Sequence, residues 1–355
     1  IRNKILSVLT RVFELYGYLP LESPTLQRYE VLASKYAGGA EILKETFKLN
    51  DQGNRDLALR YDLTVPLCLY VALNPQVKLP FKRYEIGKCF RDGPISRERF
   101  REFWQCDADI VGSSSMLADA EGLNLISEVF KELNLDITIK VNNRKILDGI
   151  MEYCNIFKDV RDTAILSIDK LDKIGVDGVK KELKEKKLAK DQIDNLVKLF
   201  DITGNNTEKM NFIKNILKEN EGIKEFEELI EYAPQIEFDP ALARGLSYYT
   251  GTIFEVKLKN SEIKATVTSG GRYDNMIGDF LGNGQKYPAV GISFGLDRIE
   301  LAIKLKEKTT TKAYVIPIKQ VSKSLEITTQ LRNEGINSDM DLMNRSISKN
   351  LDYAN

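Results

Sequence analysis

The stretch FKRYEIGKCFRDGPISRERFREFWQCDADIV, residues 81–111, decides the fold. It reads as two strands flanking a loop near Asp92 to Glu98. In a strand alternate residues share a face, so Arg101, Gln105 and Asp109 project to one side, and Phe100, Trp104, Ala108 and Ile110 to the other. Strand rise separates Gln105 from Asp109 by about 13 Å, and inward-leaning side chains there can hold opposite ends of one small zwitterion. Arg91 ends the facing strand, where its fork suits a phosphate. The competing reading is a plain hairpin with a polar solvent face.

Working outward, Ile5, Val8, Leu9, Val12, Phe13 and Tyr16 follow helical spacing, and Gly17 stops that helix. Leu19 to Pro24 reads as extended. Thr46 to Leu49 and Leu57 to Leu59 form a hairpin around Asn50-Asp51-Gln52-Gly53. Met116 to Leu133 is helical, and Ile137 to Val141 is a strand. From about Asn143 to Phe238 the chain turns helical and rich in Lys and Glu, and this part reads as an inserted module. Its Lys180–Lys187 block is a solvated helix face or an RNA-facing surface. Strand patterns return at Thr252 to Leu258 and Ile263 to Thr268. A short helix follows Gly270-Gly271, then a strand at Ala289 to Ser293 and a helix from Gly295 to about Lys306. Tyr314 to Ile318 and Ser322 to Gly335 begin a βα unit that reads as incomplete. Hairpins outnumber βαβ units, so the expected class is α+β, with one antiparallel sheet built from both sides of the insert.

Composition narrows the chemistry. The 355 residues carry 52 lysines plus arginines and 52 acids, so no global basic charge marks a nucleic-acid binder. There is no histidine, which removes imidazole bases, histidine triads and histidine metal sites. Cys68, Cys89, Cys106 and Cys154 lie far apart without a CxxC pair, as in a reducing compartment, and no zinc is expected. The longest apolar run, Val65 to Leu73, is far shorter than the ~20 residues that span a bilayer, so cytoplasm is the default and no membrane is expected.

Three further clusters carry chemistry. In Leu59-Arg60-Tyr61-Asp62-Leu63-Thr64-Val65-Pro66, Asp62 and Thr64 can jointly accept an ammonium, or equally cap a helix whose first turn holds a proline. In Arg244-Gly245-Leu246-Ser247-Tyr248-Tyr249-Thr250-Gly251, glycines beside an arginine let backbone approach a ligand while paired tyrosines form a wall. An ordinary turn with a surface arginine is the alternative. The last joins Ser269-Gly270-Gly271-Arg272-Tyr273-Asp274 to the stretch 288–298, where Arg298 occupies the first turn of a helix. The macrodipole disfavours a cation there, so an anion such as triphosphate is expected, unless Asp297 or another acid pairs with it. No P-loop or Rossmann fingerprint is present.

Together these clusters resemble the class II aminoacyl-tRNA synthetases, and among them histidyl-tRNA synthetase of the archaeal and eukaryotic type. Gly17-Tyr18 through Pro24 looks like motif 1, Phe90-Arg91 through Asp109 like motif 2, and Gly291 through Arg298 like motif 3. The Arg244–Tyr249 and Ser269–Asp274 segments look like the two histidine-enzyme signatures. The resemblance implies a histidine–tRNA ligase with histidine, ATP and tRNA(His) as substrates, Mg²⁺ arriving with ATP, and a homodimer built on motif 1. Arg91 and Arg244 would be catalytic, and Arg91, Arg99, Arg101 and Arg298 would hold ATP. Asp62, Thr64 and Gln105 would bind the ammonium of histidine, and Asp109, Tyr248 and Tyr249 would read its imidazole. Many class II enzymes have glutamate two residues after the motif 2 arginine; this chain has Gly93, leaving Asp92 or Glu98 for that work. The implied domains are 1–142 and 239–308 for catalysis, 143–238 as helical insertion, and 309–355 as the start of an anticodon-binding α/β domain. A synthetase-like regulatory subunit or tRNA sensor without ligase activity is the alternative.

Overall fold

A computed structural model describes residues 1–35, 43–244, 248–303 and 309–354. Two compact units divide the chain, Ile1–Ile303 and Lys304–Asn355. The strands of the first unit are β1 (Leu19–Pro20), β2 (Leu26–Arg28), β3 (Lys48–Asn50), β4 (Asp56–Leu59), β5 (Phe81–Phe90), β6 (Glu102–Val111), β7 (Ile137–Asn143), β8 (Ile236–Phe238), β9 (Thr252–Leu258), β10 (Thr268–Arg272) and β11 (Ala289–Gly295).

Eight of them form one sheet in the order β1-β5-β6-β11-β10-β9-β7-β8. The six from β5 to β7 pair antiparallel throughout. Short β1 and β8 close the edges in parallel with β5 and β7. The α+β class and the antiparallel sheet expected from the sequence are both present. A second sheet, β2-β4-β3, contains the expected hairpin around Asp51.

One face of the large sheet is apolar. Tyr84, Ala108 and Ile292 lie in register across β5, β6 and β11, as do Ile86, Cys106 and Phe294. Helices cover that face because their own apolar stripes match it. Arg2–Leu15 buries Ile5, Leu9, Val12 and Phe13, one stripe at helical spacing, and ends before Gly17 at φ +77°. Met116–Glu132 starts where the Ser115 hydroxyl accepts from the Leu117 amide, and it buries Leu123, Ile126 and Phe130. The residues expected to form a helical insertion build the helices Arg144–Tyr153, Lys158–Ile168, Leu171–Glu185, Lys190–Phe200, Asn206–Leu217 and Glu221–Tyr232, whose buried residues join the same hydrophobic core. All four cysteines are buried free thiols, as expected.

One strand differs from the sequence reading. Ile263 to Val267 lies outside a strand, and β10 runs Thr268–Arg272, beyond the expected strand end at Thr268 and through the glycine pair. Packing explains the shift. A Cβ on Gly270 would lie 2.0 Å from the Gly291 carbonyl oxygen, so only glycine lets β10 and β11 approach this closely. The last helix of this unit is Leu296–Ala302, and the remainder of the expected helix lies outside the described residues. In the second unit, β12 (Ala313–Val315) and β13 (Ser338–Met340) pair in parallel around the helix Val321–Asn333, in keeping with the expected βα start.

Candidate active site

The opposite face of the large sheet is polar and built in rungs, because directly paired residues of antiparallel strands point the same way. The first rung aligns Arg83, Asp109 and Gly291; the second Glu85, Asp107 and Ser293; the third Gly87, Gln105 and Gly295. The second continues through Ser269 on β10 to Glu255 on β9. Gln105 donates to the Ser293 hydroxyl at 2.7 Å and accepts from the Cys89 thiol at 2.9 Å. Asp109 is 1% exposed; it accepts from the Tyr273 hydroxyl at 2.6 Å and lies 3.0 Å from Arg83 Nη2. Burial raises its carboxyl above the usual range, while Arg83 and the Tyr273 bond oppose that. Opposite it a Cβ on Gly291 would lie 2.1 Å from Asp109 Oδ1, so glycine there makes the space the carboxylate occupies.

The ammonium candidates sit beside this face. Asp62 is buried and its Oδ1 accepts from the Val65 amide at 3.0 Å, at the start of the helix Thr64–Leu73. Asp62 thus satisfies a first-turn amide from the position before the N-cap, Leu63, and is not itself the N-cap. That bond is compatible with the ammonium reading, since a carboxylate has about four lone-pair sites. Arg83 Nη2 donates to the Leu63 carbonyl at 2.8 Å, joining the Asp62–Thr64 segment to Asp109. Tyr248 and Tyr249 pack with ring centroids 4.7 Å apart, and Tyr248 meets Tyr273 edge-on at 6.2 Å. Together they form an aromatic wall. Gly245, Leu246 and Ser247 of that signature lie outside the described residues.

The arginines divide into two groups. Arg91 lies 4.0 Å from the Tyr61 ring and 4.9 Å from Phe103, and it donates to the Tyr61 carbonyl at 3.3 Å. Arg298 donates to the carbonyls of Thr266 at 2.7 Å and Glu98 at 3.2 Å. Asp297 instead pairs with Arg2 and accepts from the Trp104 amide. Burial lowers the Arg298 pKa, and Arg91 and Arg244 lower it further. Three guanidiniums thus bear on one region, and two of them are held by carbonyl oxygens. That is an electrostatic site for a polyanion. Arg244 ion-pairs with Glu255 and donates to the Ser269 hydroxyl at 3.2 Å, so it is no surface arginine. Burial opposes its charge, but Tyr249 and Glu255 outweigh that and raise its pKa.

Arg99 and Arg101 are exposed at the loop and already paired. Arg99 lies 2.6 Å from Glu45, and Arg101 lies 3.3 Å from Asp92. Asp92 is thus engaged by Arg101, and Glu98 acts on Arg298 both through its backbone oxygen and through the charge of its carboxylate, which favours the charged guanidinium. The carboxylate that reaches the motif 2 loop from elsewhere in the chain is Glu45, which also accepts from the Tyr61 hydroxyl at 3.2 Å.

Sequence reasoning missed Arg83, Glu85, Asp107 and Glu255, and it gave Tyr273 no role. A signal existed for Asp107, which shares parity with Gln105 and Asp109. Arg83 and Glu85 alternate in the facing strand in the same way.

An antiparallel sheet with helices packed on its apolar face, whose central strands set a motif 2 hairpin beside a motif 3 strand leading into a helix and carry polar side chains on the other face, is the catalytic fold of a class II aminoacyl-tRNA synthetase. Residues 1–299 match the family model described as histidyl-tRNA synthetase. Histidine–tRNA ligase 1 of a Bacillus cereus strain is 46% identical over 365 residues, covering 100% of this chain and 86% of the relative. The crystal structure of histidyl-tRNA synthetase from Nostoc sp. PCC 7120 superposes with a TM-score of 0.82 at 32% identity, over 99% of this chain and 85% of that one. A Bacillus halodurans C structure, described as an ATP phosphoribosyltransferase regulatory subunit/histidyl-tRNA synthetase, shares the fold alone, with a TM-score of 0.81 at 21% identity over 99% of this chain and 91% of that one. The chain belongs to the histidyl-tRNA synthetase family. The expected archaeal and eukaryotic type is not borne out, because the relatives named are bacterial.

Proposed function

We propose that this chain is a histidine–tRNA ligase that activates histidine with ATP and passes the histidyl group to tRNA(His). The carrying observation is the convergence of Arg91, Arg244 and Arg298 beside a polar face that holds Gln105, Asp109 and the tyrosine wall. In the first step a histidine carboxylate oxygen attacks the α-phosphorus of ATP. The bond to the β-phosphate oxygen breaks, and diphosphate leaves with the electron pair. Arg91 and Arg298 stabilise the charge on the phosphates, and Arg244 sits between carboxylate and α-phosphate. This is positioning and electrostatic catalysis, and it requires no protein imidazole. In the second step a terminal ribose hydroxyl of tRNA attacks the acyl carbon, AMP leaves and a proton is released.

Asp62, Thr64 and Gln105 hold the substrate ammonium, and Asp109 with Tyr248 and Tyr249 reads the imidazole. Arg99 and Arg101 join the ATP phosphates by exchanging Glu45 and Asp92 for them. Mg²⁺ belongs to the ATP substrate. Among the described residues no three His, Cys, Asp or Glu side chains cluster to hold a metal, and Mg²⁺ in such sites takes one or two carboxylates plus phosphates and waters. We assign 1–142 and 239–308 to catalysis, 143–238 to an insertion, and 309–355 to the start of an anticodon-binding domain. The working form is a cytoplasmic homodimer; among the described residues no helix is long and apolar enough to cross a membrane. Histidine-dependent ATP–diphosphate exchange tests the reading. Exchange that requires histidine supports it; tRNA or partner binding without any exchange points to the regulatory alternative.

A further inference from the structure

Between Gln105 and Asp109 on the polar face stands Asp107, to which no role has fallen. It is 2% exposed, a side-chain hydrogen bond joins it to Ser293, and its Oδ1 has no hydrogen-bond partner among the described residues. A buried carboxylate oxygen without a partner is costly, and natural proteins keep few of them. The surroundings add to the cost. Asp62, Glu85, Asp107 and Asp109 are all buried and their charges act on one another, and the buried arginines paired within this group are Arg60 and Arg83. Both cations are committed to other members of the cluster, and neither is paired with Asp107. Arg60 lies 2.8 Å from Glu85, and Arg83 lies 3.3 Å from Glu85 and 3.0 Å from Asp109. Burial holds the Asp107 carboxyl well above its ordinary range; Asp109 and Asp62 add to this, and Arg83 opposes it. The cluster is short of positive charge where the substrate brings an ammonium.

We propose that Asp107 is a direct ligand of the substrate's α-ammonium, alongside Asp62 and Gln105. This rests on histidine being the substrate. The register places Asp107 at a crossing. Along its own rung, Ser269 stands two strands away, about 10 Å, and binds Arg244. Along β6, Asp109 stands two residues away, about 7 Å. An amino acid with its carboxylate toward Arg244, at the Ser269 end of this rung, and its ring toward Asp109 turns its ammonium toward the corner that Asp107 occupies. The unpartnered Oδ1 is the acceptor waiting there.

Calorimetric titration of the full chain with three probes tests this. L-Histidine and L-histidinol carry the ammonium; imidazolepropionate keeps ring and carboxylate but lacks it. In Asp107→Asn the affinities for histidine and histidinol should fall about ten- to a hundredfold, the scale of a lost charged hydrogen bond, while imidazolepropionate changes by about twofold or less. The ligand-free variant should melt no lower than the wild type, since a surplus buried charge is gone. Equal losses for all three probes, or no loss for any, would overturn the assignment. Asp107→Ser, smaller than the native residue, gives the same comparison if the Asn variant does not fold. A wild type that exchanges diphosphate with histidine, combined with a flat probe pattern in the variants, fails this proposal alone. A wild type that neither binds histidine nor exchanges fails the substrate reading and takes this proposal with it.

Discussion

Arg244 shows how far a single residue can be read before its neighbours are known. Its flanking glycine suggested an arginine placed for a ligand, and nothing nearby in sequence suggested a partner. The structure supplies one from β9, Glu255, which also accepts from the Thr266 hydroxyl at 2.9 Å. Arg244→Ala should lower histidine-dependent exchange by about 10²–10³-fold, the scale of one preorganised donor, while the retained Thr266 bond keeps Glu255 in place. Exchange near the wild-type rate would remove Arg244 from the mechanism. Recovery in the double variant with Glu255→Gln would trace the loss to an unpaired acid instead. Asp109 offers a cleaner spectroscopic test, because the protein contributes no histidine signal. A carboxylate near the ring favours the imidazolium, so it raises the bound ligand's pKa; burial among aromatic rings lowers it. With the attraction dominant, Asp109→Asn should lower the bound pKa by about one unit and weaken binding more at pH 6 than at pH 8. NMR titration of labelled histidine reads this directly. An unchanged pKa would leave Asp109 as the partner of Arg83 and Tyr273 and nothing more.

Strands whose apolar and polar residues alternate were legible at the scale of the element. β5, β6 and β9 fall where alternation put them, since one face meets the core and the other the site. β10 was not. Its glycines carry no side-chain pattern, and the β-branched residues before it, Thr266 and Val267, drew the reading five residues early. What places β10 is the close approach of β11, a fact about two strands that neither shows alone. The candidate site divides the same way. Arg91, Asp62, Gln105, Asp109, Tyr248, Tyr249 and Arg298 stood out because each lies in a motif, whereas Glu255 became visible only through cross-strand register, and the alternation of Arg83 with Glu85 gained its meaning there. That register has a measurable consequence at Gly291. Gly291→Ala puts a methyl group into the Asp109 carboxylate. Overpacking of this kind costs about 1–3 kcal/mol, and here the displaced groups are Asp109 and Tyr273. The KM for histidine should rise about five- to a hundredfold, the equivalent of that loss, while the KM for ATP stays within about twofold. Parallel changes in both would mean that the strand, and not the histidine side of the site, had been disturbed.

Across the whole molecule, charge is balanced in sum and divided in space. The formal net charge is zero, so no long-range field draws an anionic substrate to the surface at large. Within the first unit, however, Arg91, Arg244 and Arg298 collect on one side of the polar face, and the acids Asp62, Asp107 and Asp109 lie buried on the other. The two halves are wetted differently. Arg91 and Arg298 are partly exposed, whereas Asp107 and Asp109 are at most 2% exposed. Salt screens exposed charges strongly, with a Debye length near 10 Å at 0.1 M, and buried ones weakly. Raising KCl from about 0.05 to 0.5 M should therefore weaken diphosphate binding about tenfold or more and histidine binding about threefold or less. Titrating each ligand separately across that series measures both slopes on one preparation. Equal slopes would mean that histidine meets its carboxylates in open solvent, and the buried acidic cluster would then have to be explained by something other than the amino acid it is positioned to receive.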